Sequence, residues 1–192
     1  MQYLVLKSNK VNSINEFIGE WSKFYTFTNE ILYQNSISKL EFTIRDIQNL
    51  FVWKNGMKLS KLKQKSVNEK IKYKIEIIND FKTSNNFDLS AFKKEFRNLT
   101  AVWKIFLLHI IKPNKYPIYD QHIHRAYLFI ANQNWKNLSN DTISNKTKEK
   151  FYFEIYLPFL ESNEIQNLKQ LDEAFFAFGQ FLKTRNNALL LT

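Results

Sequence analysis

Residues Thr100 to Ile111 read TAVWKIFLLHII, and apart from Lys104 and His109 this run is apolar on every side of a helix. A helix that is apolar all round is a buried one, so the middle of the chain is a core helix that other helices must cover. Around it only 3 Gly and 3 Pro interrupt 192 residues, and apolar residues recur mostly at three- and four-residue spacing. Together these predict an all-α fold.

Toward the N-terminus, Ile14, Phe17, Ile18, Trp21 and Phe24 form one stripe, which predicts a helix from Ser13 to about Phe27. A second helix starts at Thr43, where Thr43 and Asp46 have the spacing of a capping box, and stops at Asn55-Gly56. Residues 58 to 82 are lysine-rich and carry Ile71, Ile75 and Ile78, reading as one long helix with a solvated basic face. Ser84-Asn85-Asn86 breaks the pattern and marks a boundary between an N-terminal lobe, 1–85, and a second lobe, 86–192. Further helices begin near Ser90, Asp120, Lys146 and Leu168, with a polar connection over 132 to 145.

A composition of 44% hydrophobic and 16% aromatic residues is that of a chain with a packed core. The absence of cysteine excludes disulfides, iron–sulfur clusters and cysteine-ligated zinc. His122 and His124 stand two apart, on different faces of a helix, unlike the i, i+4 pair of helical zinc sites, so neither a metal nor another cofactor is expected. The apolar run from Ile105 to Ile111 is too short to span a membrane, and MQYLVLKSNK has no cleavage-site pattern, so a cytoplasmic location is expected; the working expectation for assembly is a monomer. A formal charge of +10 makes polyanions the natural partners. The excess is carried almost entirely by lysine.

After the core helix come KPNKYPIY and DQHIHRAYLFI, the latter helical with Asp120 at its start. Asp is a favoured N-cap, which is one reading of Asp120. The other is chemical. The helix rises about 10 Å between Lys104 and Ile111, and an extended return over 112 to 119 covers roughly 25 Å. That return would bring the Asp120 carboxylate beside the Lys104 amine in a partly desolvated site.

The run Asp120-Gln121-His122-Ile123-His124-Arg125 resembles the D-x-H-(V/I/M)-x-R element of the helix-hairpin-helix DNA glycosylase superfamily. Pro113, Tyr116, Pro117, Ile118, Tyr119 and Asp120 are similar to the P-x-x-(F/Y)-P-I-(Y/F)-D pattern of its prokaryotic members of 8-oxoguanine glycosylase fold. LDEAFFAFGQFL, Leu171 to Leu182, is similar to the helix closing the same lobe. The resemblance implies a two-lobed helical fold with double-stranded DNA between the lobes and Asp120 as the catalytic residue. It implies excision of a damaged base in repair, or of a modified base in defence against phage. Phe96-Arg97-Asn98-Leu99-Thr100 lacks the glycines of the family's hairpin, and Lys104 stands closer to Asp120 than the family's nucleophilic lysine does. The hairpin is therefore degenerate, and a monofunctional glycosylase is expected rather than a lyase.

A buried carboxylate stabilises an oxocarbenium-like sugar and orients water, so Asp120 suffices for hydrolysis; Lys104 is the candidate nucleophile for Schiff-base chemistry. An extruded base needs a stacking surface and a reading group, for which Trp53-Lys54-Asn55 and Trp103 are candidates. Both tryptophans also read as core residues, as does His109. His122, Arg125 and Arg97 are candidate phosphate contacts. The rival reading is a non-catalytic basic helical module that binds nucleic acid, with Asp120 only capping its helix.

Overall fold

The computed structural model describes residues 11–136, 138, 143–165 and 167–184. These are helical, with no strand among the described residues, and no helix among them is long and apolar enough to cross a membrane. The all-α expectation holds.

The chain clusters into two compact units. Unit 2 takes Thr26–Ile118 with Asn145–Glu149, and unit 1 takes the described residues up to Tyr25, those between Tyr119 and Ser144, and those from Lys150 on. This differs from the expected boundary at residue 85, because Ser84–Asn86 is bridged by aromatic packing. Phe81 meets Phe87 at 5.7 Å and Phe92 at 5.8 Å between ring centroids, binding the helices on either side of the break into one core.

In unit 2, α2 (Glu30–Ile37) follows an Asn29 with φ of 61° and was not expected. Only Tyr33 and Ser36 of it are buried, too few to mark a stripe. Helix α3 (Ile44–Asn55) has the full Thr43/Asp46 capping box, and Gly56 ends it in the left-handed conformation at φ 73°. The long helix expected over 58–82 is three pieces: α4 (Lys61–Lys70), a 3-10 turn at Lys72–Lys74, and α5 (Ile75–Thr83). Tertiary contacts override the periodicity there. Val67, Ile71 and Ile78 are fully buried, while Lys70 donates to Asn98 O at 3.3 Å and Lys74 to Glu95 O at 3.1 Å. Both ammoniums thus brace the turn between α6 (Leu89–Glu95) and α7 (Ala101–Ile111).

That turn holds no residue with positive φ, as expected of a hairpin without glycine. Lys82 and Lys112 act similarly at helix ends: Lys82 donates to Ile110 O at 2.9 Å, and Lys112 to Lys82 O at 2.8 Å and Ser84 O at 2.7 Å. Lys74, Lys82 and Lys112 thus close helix C-termini, while Lys58, Lys61, Lys63, Lys65 and Lys70 are exposed, as expected of a solvated basic face. Helix α7 is buried as its sequence requires, from Lys104 through Ile111.

In unit 1, α1 (Ile14–Trp21) continues as a 3-10 turn at Ser22–Phe24 and packs on α11 (Leu168–Lys183) through Phe17 on Phe178, at 5.0 Å, and Trp21 on Phe178, at 4.7 Å. Helix α8 (Gln121–Ile130) packs on the same α11. The helix expected near Lys146 is α9 (Asn145–Lys150), followed without interruption by a π-helical stretch, Phe151–Tyr156, and by α10 (Leu157–Ser162). Pro158 accounts for the widening. A proline inside a helix donates no bond and crowds the carbonyl four residues back, and an i to i+5 turn before it relieves both problems.

Candidate active site

Asp120 is the N-cap of α8, with extended backbone at φ −153°, ψ −178°. Its Oδ1 accepts from His122 N at 2.7 Å and Ile123 N at 3.1 Å, and the residue is half-buried. Capping is therefore realised, and it fixes the carboxylate against the positive end of the helix dipole. Tyr119, fully buried, hydrogen-bonds through its hydroxyl to His124 Nδ1 at 3.0 Å. Burial, and then the Asp120 charge, raise the Tyr119 pKa, so the phenol stays protonated. His124 stacks on Phe151 with ring centroids 3.6 Å apart.

His122 lies where α8 and α11 approach closely. A Cβ on Gly179 would stand 2.0 Å from the His122 carbonyl oxygen and 2.5 Å from its carbon, so only glycine permits this approach. Burial lowers the His122 pKa below 6.5, although Asp120 pulls the other way. Its Nδ1 faces Arg125 Nη1 at 3.2 Å. Arginine can only donate, so Nδ1 is the acceptor and the imidazole is neutral with its proton on Nε2.

Arg125 departs from the expected phosphate contact. It is 4% exposed, and its guanidinium donates to Gly179 O at 3.2 Å and Leu138 O at 2.8 Å. A buried cation needs acceptors; here backbone carbonyls supply them, and Arg125 ties α8 to α11. Gly179 is the site residue that the sequence reading missed. Its signal was a glycine inside a long helical pattern, which costs helix stability unless close packing requires it.

The other candidates lie in unit 2. Lys104 is buried, its Nζ 2.8 Å from Glu149 Oε1, so its partner is a carboxylate from α9. Asp120 and Lys104 belong to different units. The expected extended return is in fact a turn over 112–116, with Lys115 N and Tyr116 N both donating to Lys112 O at 3.0 Å, and only the residues after it are extended. His109 is a satisfied core histidine: Nδ1 lies 2.7 Å from Tyr116 O and Nε2 lies 2.8 Å from Tyr33 Oη.

Trp53 is a core residue as well. It is 3% exposed, packs on Tyr33 at 4.3 Å and Phe27 at 5.3 Å, and donates Nε1–H to Glu30 at 2.8 Å. Asn55 holds the turn after α3, donating to Met57 O at 2.9 Å and accepting from Lys63 Nζ at 2.6 Å. Lys54 is half-buried, 5.9 Å from the centroid of the Phe106 ring. The Trp53-Lys54-Asn55 trio therefore serves the fold and does not present a surface for stacking and reading a base. Trp103 is half-buried with an edge contact to Phe51 at 5.3 Å, and Arg97 is exposed. No group of three or more His, Cys, Asp or Glu that could hold a metal occurs among the described residues. No protein-family model, curated protein or solved structure matches this chain.

Proposed function

We propose that this chain is a DNA N-glycosylase in which Asp120 stabilises the cationic sugar as a flipped base leaves and orients the attacking water. The observation that carries this reading is the fixed, half-buried carboxylate at the head of α8. Around it the Tyr119 phenol and the His122 imidazole are both held uncharged. A carboxylate held in a fixed position needs no reorganisation as positive charge develops on the sugar. The net charge of +10 suits a DNA partner. Engagement of Lys104 by Glu149 favours the hydrolytic route over Schiff-base chemistry. The motif resemblance supplies the reaction class, and the excised base belongs either to damaged DNA or to modified phage DNA.

The capping bonds themselves favour a second reading, a non-catalytic nucleic-acid-binding module. Incubation with duplexes and phage DNAs carrying different base modifications, followed by assay for abasic sites, separates the two. Under the glycosylase reading wild type releases a base from at least one substrate, Asp120→Asn binds DNA but releases none, and Lys104→Gln still releases it. Tight binding with no release on any substrate would establish the module instead. A borohydride-trapped adduct that Lys104→Gln cannot form would establish the lyase route.

A further inference from the structure

We propose that a second site lies in unit 1, with a lining that does not include Asp120: a cleft that takes a neutral, flat nitrogen heterocycle bearing amino groups, of the nucleobase kind. The cleft is about 410 Å³, within the range of small-molecule sites, and is lined by Asn15, Asn163, Glu164, Asn167 and Gln170 together with Ile18 and Ile165.

Three of its amides are anchored at one end. Asn163 Nδ2 donates to Phe159 O at 2.7 Å, Asn167 Oδ1 accepts from Gln170 N at 3.0 Å, and Gln170 Nε2 lies 3.3 Å from Ser22 Oγ. The backbone partners of Asn163 and Asn167 fix which end of each of those amides is nitrogen and which oxygen. The opposite ends, Asn163 Oδ1, Asn167 Nδ2 and Gln170 Oε1, make no hydrogen bond among the described residues, nor does the Asn15 side chain. The lining thus holds preset acceptors beside a donor, with isoleucine side chains for an apolar face. Among the described residues no lysine or arginine lines the cleft and Glu164 does, so a phosphate is disfavoured and ligand N–H groups are favoured.

Glu164 gives the independent sign that this lining is kept for binding. It ends α10 with φ of 52°, while its own N–H bonds to Glu161 O at 3.2 Å and that of Ile165 to Leu160 O at 3.3 Å. This is the Schellman arrangement, whose left-handed position is normally glycine because a side chain there is strained. A carboxylate held at a conformational cost on the wall of a cleft points to function. The site does not depend on the chemistry assigned to Asp120.

The test is titration of the full chain with adenine, cytosine, thymine, adenosine, AMP and spermidine, followed by calorimetry or ligand-observed NMR. Adenine or cytosine should saturate with a Kd below about 1 mM, thymine should bind more weakly, and AMP no more tightly than adenosine. Glu164→Gly should raise the melting temperature by about 2–4 °C and yet weaken the heterocycle by about tenfold or more. Asn15→Ala, which removes no internal bond, should weaken it as well, and Asp120→Asn should leave it unchanged. The proposal is overturned if no heterocycle saturates, if Glu164→Gly shifts the melting temperature without shifting affinity, or if AMP or spermidine binds tighter than adenine. Absence of base release by the wild-type chain on every substrate, with the cleft still binding, would sink the glycosylase reading alone.

Discussion

Asp46 and Asp120 both cap a helix start, one in each unit, and their surroundings differ in kind. Asp46 is 3% exposed and both its oxygens are engaged by side chains or backbone: Oδ1 by Lys39 at 2.6 Å, Oδ2 by Thr43 N at 2.9 Å and Thr43 Oγ1 at 2.7 Å. Burial alone would raise its pKa, but Lys39 and Thr43 outweigh that and hold it below 3.8. Asp120 takes both of its backbone amides on Oδ1, a task that an asparagine oxygen performs equally well. The charge of Asp46 therefore serves the fold through Lys39, whereas the two backbone bonds to Asp120 would be met by an uncharged oxygen as well.

The sharpest break of this contrast is the exchange Asp→Asn at each position. At Asp120 it should lower base release by about 10²–10³-fold or more while changing unfolding free energy by no more than about 0.5 kcal/mol. At Asp46 it should cost about 1–3 kcal/mol and leave the turnover of folded protein intact. Abasic-site assays beside urea melts read both, and equal stability losses would erase the distinction. Because the Asp46 pKa is lowered by folding, its contribution is present above the unfolded value of 3.8 and lost as pH falls through the folded one. The Asp46→Asn deficit should therefore shrink in acid.

Next in size, Gly179→Ala should cost about 3 kcal/mol or more, since its Cβ meets backbone and not a movable side-chain tip. It should also impair release by displacing the start of α8. Gly19→Ala is the control: nothing lies within 4 Å of its Cβ, so it should be neutral or slightly stabilising.

A smaller effect concerns Lys82, whose pKa burial, and then the charge of Lys112, depress from 10.5 to about 8. Between those values the unfolded chain holds a proton that the folded chain has released, so stability from this group rises with pH. Lys82→Met should remove that rise, and denaturant melts at pH 7.5 and 9.5 with and without the substitution measure it.

Smallest is the division of labour among surface cations. Lys63 leans on Asn55 and Lys65 on Glu69, whereas Lys94 and Arg97 are exposed beside the α6–α7 turn. Neutralising Lys93, Lys94 and Arg97 should flatten the slope of log K against log salt by about 0.9 for each phosphate that no longer meets a cation. The same change at Lys61, Lys63 and Lys65 should do less. A larger effect from the latter set would move the DNA path onto α4.

Local chemistry made much of this legible in advance. The apolar run Ala101–Ile111, the Thr43/Asp46 box, the Gly56 stop and the Asp120 cap are each set by residues within a few positions of one another. What long-range packing decides was not legible. Nothing near Trp53 announces Tyr33 and Phe27 on its ring, nothing near Arg125 announces the carbonyl of Gly179, and the isoleucine spacing over 58–82 is the same for one helix as for two with a turn between them. The division into units was hidden for the same reason: Phe17 and Phe178 touch across almost the whole sequence.

That last contact sets an order of events during synthesis. Nearly all of unit 2 is one continuous stretch, Thr26–Ile118, whose partners emerge close together in time, so most of its core can collapse while the chain is still growing. Unit 1 is stitched from separated stretches, and the stripe of α1 faces α11, whose residues are made long after those of α1. Phe17 and Trp21 must therefore wait, uncovered, until translation has passed Lys183. Through that interval the nascent chain carries an aromatic stripe that lacks its α11 partners, and the head of α8 acquires its Gly179 neighbour only when the wait is over.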